Sequence, residues 1–194
     1  MRSFIFVISG PSGSGKTTLL ESLLKAKQLK DKLVKPVSFT TRPRRPDEKD
    51  GRDYFFITER EFRQKKQEKK FLEWTRYLGY YYATSRDFLQ RYLKQARHII
   101  LCLDLKGAFQ IRKFYPQKTV LIFVMPPSLE VLRRRITQRC NKTKREEIRE
   151  RLKLAREELT ATHKFDYRLV NKDLAAALRG LRKIILKEIA VRNY

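Results

Sequence analysis

The chain has 194 residues, enough for one α/β domain with modest insertions. Its composition, 41% hydrophobic and 35% charged, is that of a globular protein, and no apolar run approaches the ~18 residues that suggest a membrane span. The two cysteines, Cys102 and Cys140, make no disulfide framework, and the net charge of +25 suits an anionic ligand while most of the excess reads as solvated surface.

In chain order, the short apolar run after Met1 leads into Gly10 rather than a cleavage site, so no export signal is read and a cytoplasmic protein is expected. Residues 4–8 (FIFVI) predict a strand that is apolar on both faces, as a parallel sheet requires. A glycine-rich turn follows, and residues 16–27 carry Leu19, Leu20, Leu23 and Leu24 at amphipathic-helix spacing. Residues 35–57, rich in charge and interrupted by prolines, read as a loop-rich insertion that returns to strand at Tyr54. Thr58 and Glu61 form a capping box at the start of a helix running to about Lys69. Residues 71–75 and 80–84 predict two strands separated near Gly79, and Ser85 can cap a helix over residues 86–97. His98 opens a second buried strand that ends at Asp104; residues 106–115 predict a helix and residues 119–124 a third buried strand. Ser128 caps a helix to Gln138, and Thr143 with Glu146 makes a second capping box, heading a long charged helix to about Thr160. A short strand at 167–170 and a helix at 174–190 complete the reading. Buried strands alternating with helices predict an α/β fold with a parallel sheet, and the aromatic stretch 36–84 predicts a smaller β-rich subdomain inserted into it.

The turn after the first strand is a phosphate loop. Gly10, Pro11, Ser12, Gly13, Ser14, Gly15, Lys16 and Thr17 match G-x-x-x-x-G-K-[ST], between a buried strand and an amphipathic helix. Its glycines let successive backbone N–H groups turn inward, and with the following helix N-terminus they make an anion site. Lys16 is expected to reach the β- and γ-phosphates of a nucleoside triphosphate, and the Thr17 hydroxyl to bind Mg²⁺. Asp104, at the end of a buried strand, is placed to hold the metal or its waters, or to cap the helix that follows; the two roles are compatible.

The acceptor has to be read from the insertion. Ser38, Arg42, Arg45 and Tyr54 flank it, and Tyr82 adds another hydroxyl. Arginine forks match phosphate oxygens, and Ser and Tyr hydroxyls donate single bonds; as bare residues the same cluster also reads as solvated charge. Glu73 interrupts an apolar strand, FLEW at 71–74, where a carboxylate needs donors or costs free energy. Guanine offers two adjacent donors, N1–H and the 2-amino group, which adenine does not, and the Thr84 hydroxyl can donate to O6. The alternative for Glu73 is the outward face of an edge strand.

Over nearly its whole length the chain resembles the guanylate kinase family. The resemblance is carried by residues 10–18 (GPSGSGKTT, ending at Thr18), 40–46 (TTRPRRP) with 50–55 (DGRDYF), and 71–74 (FLEW) with 81–86 (YYATSR). It continues through 103–108 (LDLKGA), 126–130 (PPSLE), 132–135 (LRRR) and Val170 with Asn171. It implies a P-loop nucleoside monophosphate kinase fold in one domain: a parallel sheet core flanked by helices (about 1–34, 95–125 and 161–194), an inserted β-rich GMP-binding region (about 35–94) and a helical lid (about 126–160). It also implies the activity, transfer of the γ-phosphoryl group of ATP to GMP, and to dGMP, with Mg²⁺. Ser38, Arg42, Arg45, Tyr54 and Tyr82 fall where the family binds the GMP phosphate, Glu73 and Thr84 on its guanine contacts, and Asp104 on an acid at the active centre. Arg135, Arg139 and Arg151 fall on arginines around the transferring phosphoryl group, and Asn171 near the adenine site. The chain departs from the family at Cys102 and Lys106, which replace an Asp and a Gln, at Ala83 and Tyr80, which replace a Gly and an Asn, and in a lid that is unusually basic after Cys140.

A phosphate monoester is already largely dianionic at neutral pH, with a second pKa of ~6, so the implied reaction needs no general base. His98 and His163 are accordingly read as structural. Catalysis is expected to be positioning plus charge stabilisation, with ATP and GMP or dGMP as the partners, no membrane, no nucleic acid despite the basic charge, and a monomer or homodimer.

Overall fold

The computed structural model describes residues 3–26, 29, 32–139 and 145–191, with the backbone alone at Arg139, Arg145 and Glu147. Strand β1 (Ile5–Ser9) leads through the glycine-rich loop into helix α1 (Lys16–Leu24). Next come β2 (Leu33–Val34), β3 (Ser38–Thr40), β4 (Tyr54–Phe56), α2 (Glu59–Gln67), β5 (Phe71–Tyr77), β6 (Tyr80–Ser85) and α3 (Arg86–Lys94). The second half holds β7 (His98–Cys102), α4 (Leu105–Phe114), β8 (Thr119–Met125), α5 (Leu129–Arg139), α6 (Arg145–Thr160), a 3₁₀ turn (Ala161–Lys164), β9 (Tyr167–Val170) and α7 (Leu174–Val191).

Five strands form one sheet in the order β2-β7-β1-β8-β9, and every pairing in it is parallel. Parallel neighbours need helical crossovers, and these cover both faces of the sheet. The strand sequence shows how. Phe6, Ile8, Ile100, Val120, Ile122 and Val124 point to one side and pack with Leu19, Leu20 and Leu23 of α1 and Ala177, Leu181 and Ile185 of α7. Ile5, Val7, Ile99, Leu101, Leu121 and Phe123 point to the other and pack with Leu89 of α3 and Ala108 and Ile111 of α4. Each Val, Leu, Ile or Phe buried in this way contributes about 1.5–3 kcal/mol relative to exposure. Both faces are therefore apolar, which is why these strands read as continuous hydrophobic runs. Strand β1 sits centrally with β7 on one side and β8 on the other, a switch point where α/β sheets open a crevice at the strands' C-terminal ends. The glycine-rich loop leaves β1 there.

The inserted stretch builds a second sheet, β4-β3-β6-β5, packed on Phe62 of α2 through Phe71 and Ala83. Strands β5 and β6 form a hairpin closed by Leu78 (φ 49) and Gly79 (φ 85), the positive pair that a two-residue turn of matching twist requires. The hairpin register shifts between Phe71 and Glu73. Such a bulge re-aims side chains, and here it leaves Phe71, Leu72 and Glu73 all buried instead of alternating.

The expected helix starts at Thr58, Ser85 and Ser128 are present, each side chain accepting from a backbone N–H in the first turn. The Thr58–Glu61 capping box is complete. Helix ends were overextended: α1 stops at Leu24, α2 at Gln67 and α3 at Lys94. The stretch expected to be loop from 35 to 53 contains β3, and β2 precedes it; strands of two and three residues are too short to show a period. Cys140 and Thr143, with the second capping box, lie outside the described residues.

Candidate active site

The phosphate loop is held from the far end of the sheet. Asn171, directly after β9, is 5% exposed and its amide donates to the Ser14 carbonyl at 2.8 Å. Gly15 has φ 93, and a Cβ there would run into the Asn171 amide, so glycine is required twice over. The Asn171 carbonyl in turn accepts from Arg135 of α5 at 3.1 Å. Thr18, Gly13, Gly15, Arg135 and Asn171, with Gln138 and Leu174, line a pocket of 330 Å³. The second terminal nitrogen of Arg135 is buried with no hydrogen-bond partner among the described residues, a donor left for an anion.

The Lys16 ammonium donates to the Gly10 and Pro11 carbonyls at 2.5 and 2.9 Å, folded back over its own loop. Arg151 of α6 donates to the Ser12 hydroxyl at 3.0 Å, tying the helix after the undescribed segment to the loop. Thr17 is exposed at the first turn of α1. The Arg139 side chain is not among those described, so its expected place at the transferring group lies outside the structure.

Asp104 is the N-cap of α4: one carboxylate oxygen accepts from Gly107 N and the other from the Thr75 hydroxyl of β5, both at 2.8 Å. The cap role is thus observed, and the Thr75 bond joins the inserted sheet to the core. On the same face of β5, two residues away, Glu73 is 3% exposed and accepts from the Thr84 hydroxyl at 2.5 Å. The bulge puts Glu73 directly opposite Thr84, so the outward-facing alternative does not hold. A Cβ on Gly107 would stand 2.8 Å from the other Glu73 oxygen. Burial pushes the Glu73 carboxyl up to about 7, with the Thr84 bond opposing and the Asp104 charge adding to the rise.

The residues expected to receive the acceptor phosphate are partly brought together. Ser38 pairs with Tyr54 across β3 and β4, and the Tyr54 and Tyr82 rings meet edge-on at 6.0 Å. Burial raises the Tyr54 hydroxyl, which stays a donor. The Arg42 guanidinium lies 5.8 Å from both the Tyr54 and Phe56 rings, but its terminal nitrogens are engaged by Glu48 and by the Pro43 carbonyl. Arg45 stands apart: its side chain is 61% exposed and comes no closer than 4.0 Å to Glu48.

Sequence reasoning missed Glu48, Thr75, Gly107, Gln138 and Glu158. Thr75 had a signal, the i+2 spacing from Glu73 on a strand. Gly107 had one too, as a glycine in the first turn of a helix, where it costs stability. Glu158 takes a position on the apolar stripe of α6 with Leu152 and Ala155; it is 8% exposed, and burial pushes it up to about 7 against the opposing charge of Lys16.

The guanylate kinase family model matches residues 2–188. The chain belongs to the guanylate kinase family. It is similar to the guanylate kinase of Thermotoga maritima, 42% identical over 190 residues that cover 98% of this chain and 89% of that one. The guanylate kinase of Nitrosospira multiformis is 43% identical over 184 residues, covering 95% and 85%. Among solved structures, the crystal structure of guanylate kinase from Anaplasma phagocytophilum superposes with a TM-score of 0.79 at 31% identity, covering 96% of this chain and 86% of that one. As a guanylate kinase family member the chain keeps its own substitutions at the crevice. Cys102, noted above as a replacement for an acid, is a free, half-buried thiol that burial raises and the Lys16 and Lys35 charges lower. Lys106 points to solvent from the first turn of α4, and Tyr80 is exposed at the hairpin. His98 accepts from Phe4 N at 3.1 Å and stacks on its ring, a structural histidine as expected. No helix among the described residues is long and apolar enough to cross a membrane.

Proposed function

We propose that this chain transfers the γ-phosphoryl group of ATP to GMP, and to dGMP, giving ADP and GDP or dGDP. The observation that carries the reading is Glu73: a buried strand carboxylate opposite Thr84, beside an acid-capped helix, at the crevice where a phosphate loop ends the central strand. A carboxylate that accepts the N1–H and 2-amino donors of guanine, next to a hydroxyl that can turn to O6, selects guanine over adenine. A site built to pair such donors rejects an analogue lacking them by ~10²–10⁵-fold.

The roles follow from charge. Two anionic substrates have to be brought to near contact, so the work is orientation and neutralisation. Backbone N–H groups along residues 10–18, Pro11 having none, would hold the ATP phosphates, and Lys16 would leave the Gly10 and Pro11 carbonyls for the β- and γ-oxygens. The adenosine end would occupy the 330 Å³ pocket between Arg135, Gln138, Asn171 and Leu174. Ser38, Arg42, Arg45, Tyr54 and Tyr82 would receive the GMP phosphate, and Arg135, Arg139 and Arg151 would face the moving group. The division into a core (about 1–34, 95–125, 161–194), a GMP-binding region (about 35–94) and a lid (about 126–160) belongs to the same proposal.

Mg²⁺ fits this donor set. No cluster of three or more His, Cys, Asp or Glu side chains among the described residues makes a dedicated cation cage, which suits an ion that arrives on the triphosphate. Thr17 offers an exposed hydroxyl oxygen, and Asp104, both oxygens already committed to Gly107 and Thr75, is suited to bind a water of the ion. When bound, the ion would neutralise charge on the β- and γ-phosphates. We place the work in the cytoplasm, as a monomer or homodimer.

The test is ADP release with GMP, dGMP, AMP, CMP, UMP and a ribose bisphosphate as acceptors. Turnover with GMP and dGMP is expected, with kcat/KM for AMP lower by at least ~10²-fold. Equal use of AMP and GMP, or preference for the sugar phosphate, would remove the guanine assignment.

A further inference from the structure

We propose that Glu48 is the positioning residue of the acceptor-phosphate clamp, an anchored carboxylate that presets Arg42 and the 45–48 turn for an incoming phosphate. The proposal rests on the reading of Arg42 and Arg45 as the groups that receive the GMP phosphate.

The contacts are specific. Both Glu48 carboxylate oxygens accept from one terminal nitrogen of Arg42, at 2.7 and 2.9 Å, and one of them also accepts from Arg45 N at 2.9 Å. Glu48 N donates to the Arg45 carbonyl at 3.1 Å, so the same four residues are closed by a backbone bond and a side-chain bond. The Arg42 and Glu48 side chains are 13% and 17% exposed, among the better shielded ion pairs of the described residues. Burial alone would raise the Glu48 carboxyl, but the bonds from Arg42 and Arg45 outweigh it and hold it below the usual range; it is charged at any working pH.

Two roles fit a carboxylate on a phosphate-binding arginine. It could occupy the arginine until the phosphate displaces it, or it could stay and hold the arginine in place. A placeholder would hold the arginine side chain alone. Glu48 also satisfies a backbone N–H and closes the turn, so its departure would break the loop that carries Arg45. A guanidinium has five N–H donors. Glu48 takes one terminal nitrogen and the Pro43 carbonyl one proton of the other, and the Tyr82 side chain also bonds the group, so Glu48 uses only part of the donor set a phosphate could share. The rings of Tyr54 and Phe56, each with its centroid 5.8 Å from the guanidinium carbon, pack beside the group. The two roles predict opposite signs. Losing an anchor loosens GMP, because an arginine misplaced by about 1 Å can cost as much as ~10²-fold. Losing a competing charge tightens it.

Steady-state kinetics of Glu48→Gln and Glu48→Asp, with GMP varied at saturating ATP, decide the sign. Glu48→Gln is expected to raise KM for GMP ~10-fold or more while kcat changes less than ~3-fold, since the contact serves ground state and transition state alike. Glu48→Asp should recover part of the loss. The inhibition constant of guanosine, which fills the base pocket without a phosphate, should stay within ~2-fold of wild type, as should KM for ATP. An unchanged or lower KM for GMP in Glu48→Gln would overturn the proposal, and so would a guanosine constant rising in step, which marks general damage to the sheet. Arg42→Gln, run in parallel, separates the two layers. If it leaves KM for GMP at the wild-type value, the clamp reading itself falls. If it raises KM and Glu48→Gln does not, the role of Glu48 alone falls.

Discussion

Glu73 is a carboxyl group held where water cannot solvate it, with one oxygen on Thr84 and the other against Gly107. Its pKa, pushed up to about 7 by burial, has two consequences of opposite sign. Only the ionised form can accept both guanine donors, so KM for GMP is expected to rise as pH falls below about 7, by at most about tenfold per unit, while KM for ATP is less affected. A pH series of kcat/KM for each substrate checks this; a flat GMP profile from pH 5.5 to 8 would remove the role of the carboxylate. The unliganded protein responds the other way. The folded state holds the Glu73 proton more tightly than the unfolded chain, whose carboxyl sits near 4.5, so stability from this group is full below about 4.5 and is lost as pH rises to about 7. On the proposed reading, the charge that would accept guanine therefore works against the empty fold, and an arriving base would supply donors that it lacks. The sequence announced Glu73 by setting a charge inside an apolar strand. It did not announce Glu48, because a glutamate among the charges of a loop looks like any solvated acid until the turn that folds it onto Arg42 is known.

At the scale of elements, the inserted hairpin stands out for its turn. Leu78 sits at φ 49, a region that a branched apolar side chain enters at a cost of about 1–2 kcal/mol and that Asn or Gly tolerates better. Leu78→Asn is expected to raise the stability of the protein by about 0.5–1 kcal/mol, measured as a shift of the urea midpoint at constant slope. A lower midpoint would mean that the half-buried Leu78 side chain contributes more by packing than its backbone costs. Elements were legible where side-chain chemistry marks them. Thr58, Ser85 and Ser128 each placed a helix start, and the two-face-apolar runs placed β1, β7 and β8. They were illegible where tertiary contact decides. Helices α1, α2 and α3 end before the apolar or charged pattern does, β2 and β3 exist only by pairing with neighbours, and the bulge before Glu73 leaves no mark in composition.

Across the whole molecule, two long-range side-chain bonds brace the inserted sheet and the phosphate loop against the core. Thr75 ties the inserted sheet to the cap of α4, and Asn171 ties the end of the last strand to the phosphate loop. Replacing Asn171 by Ala removes the bond to the Ser14 carbonyl and opens space beside Gly15. KM for ATP is expected to rise ~10-fold or more, with KM for GMP changed much less, in initial-rate measurements with each substrate varied in turn. Equal effects on both substrates would place Asn171 in general support of the fold. The parallel sheet and its crossovers were legible from the sequence as a class, but this long-range bond was not, since no local pattern connects a loop to a residue so far along the chain.

That bond also sets an order on synthesis. Ser14 and Asn171 are 157 positions apart, and the central strand that feeds the loop is flanked by strands made much later. A growing polypeptide that has the complete G-x-x-x-x-G-K-[ST] segment outside the ribosome still lacks the amide that bonds to Ser14, so the loop gains this contact only once the penultimate helix has already emerged.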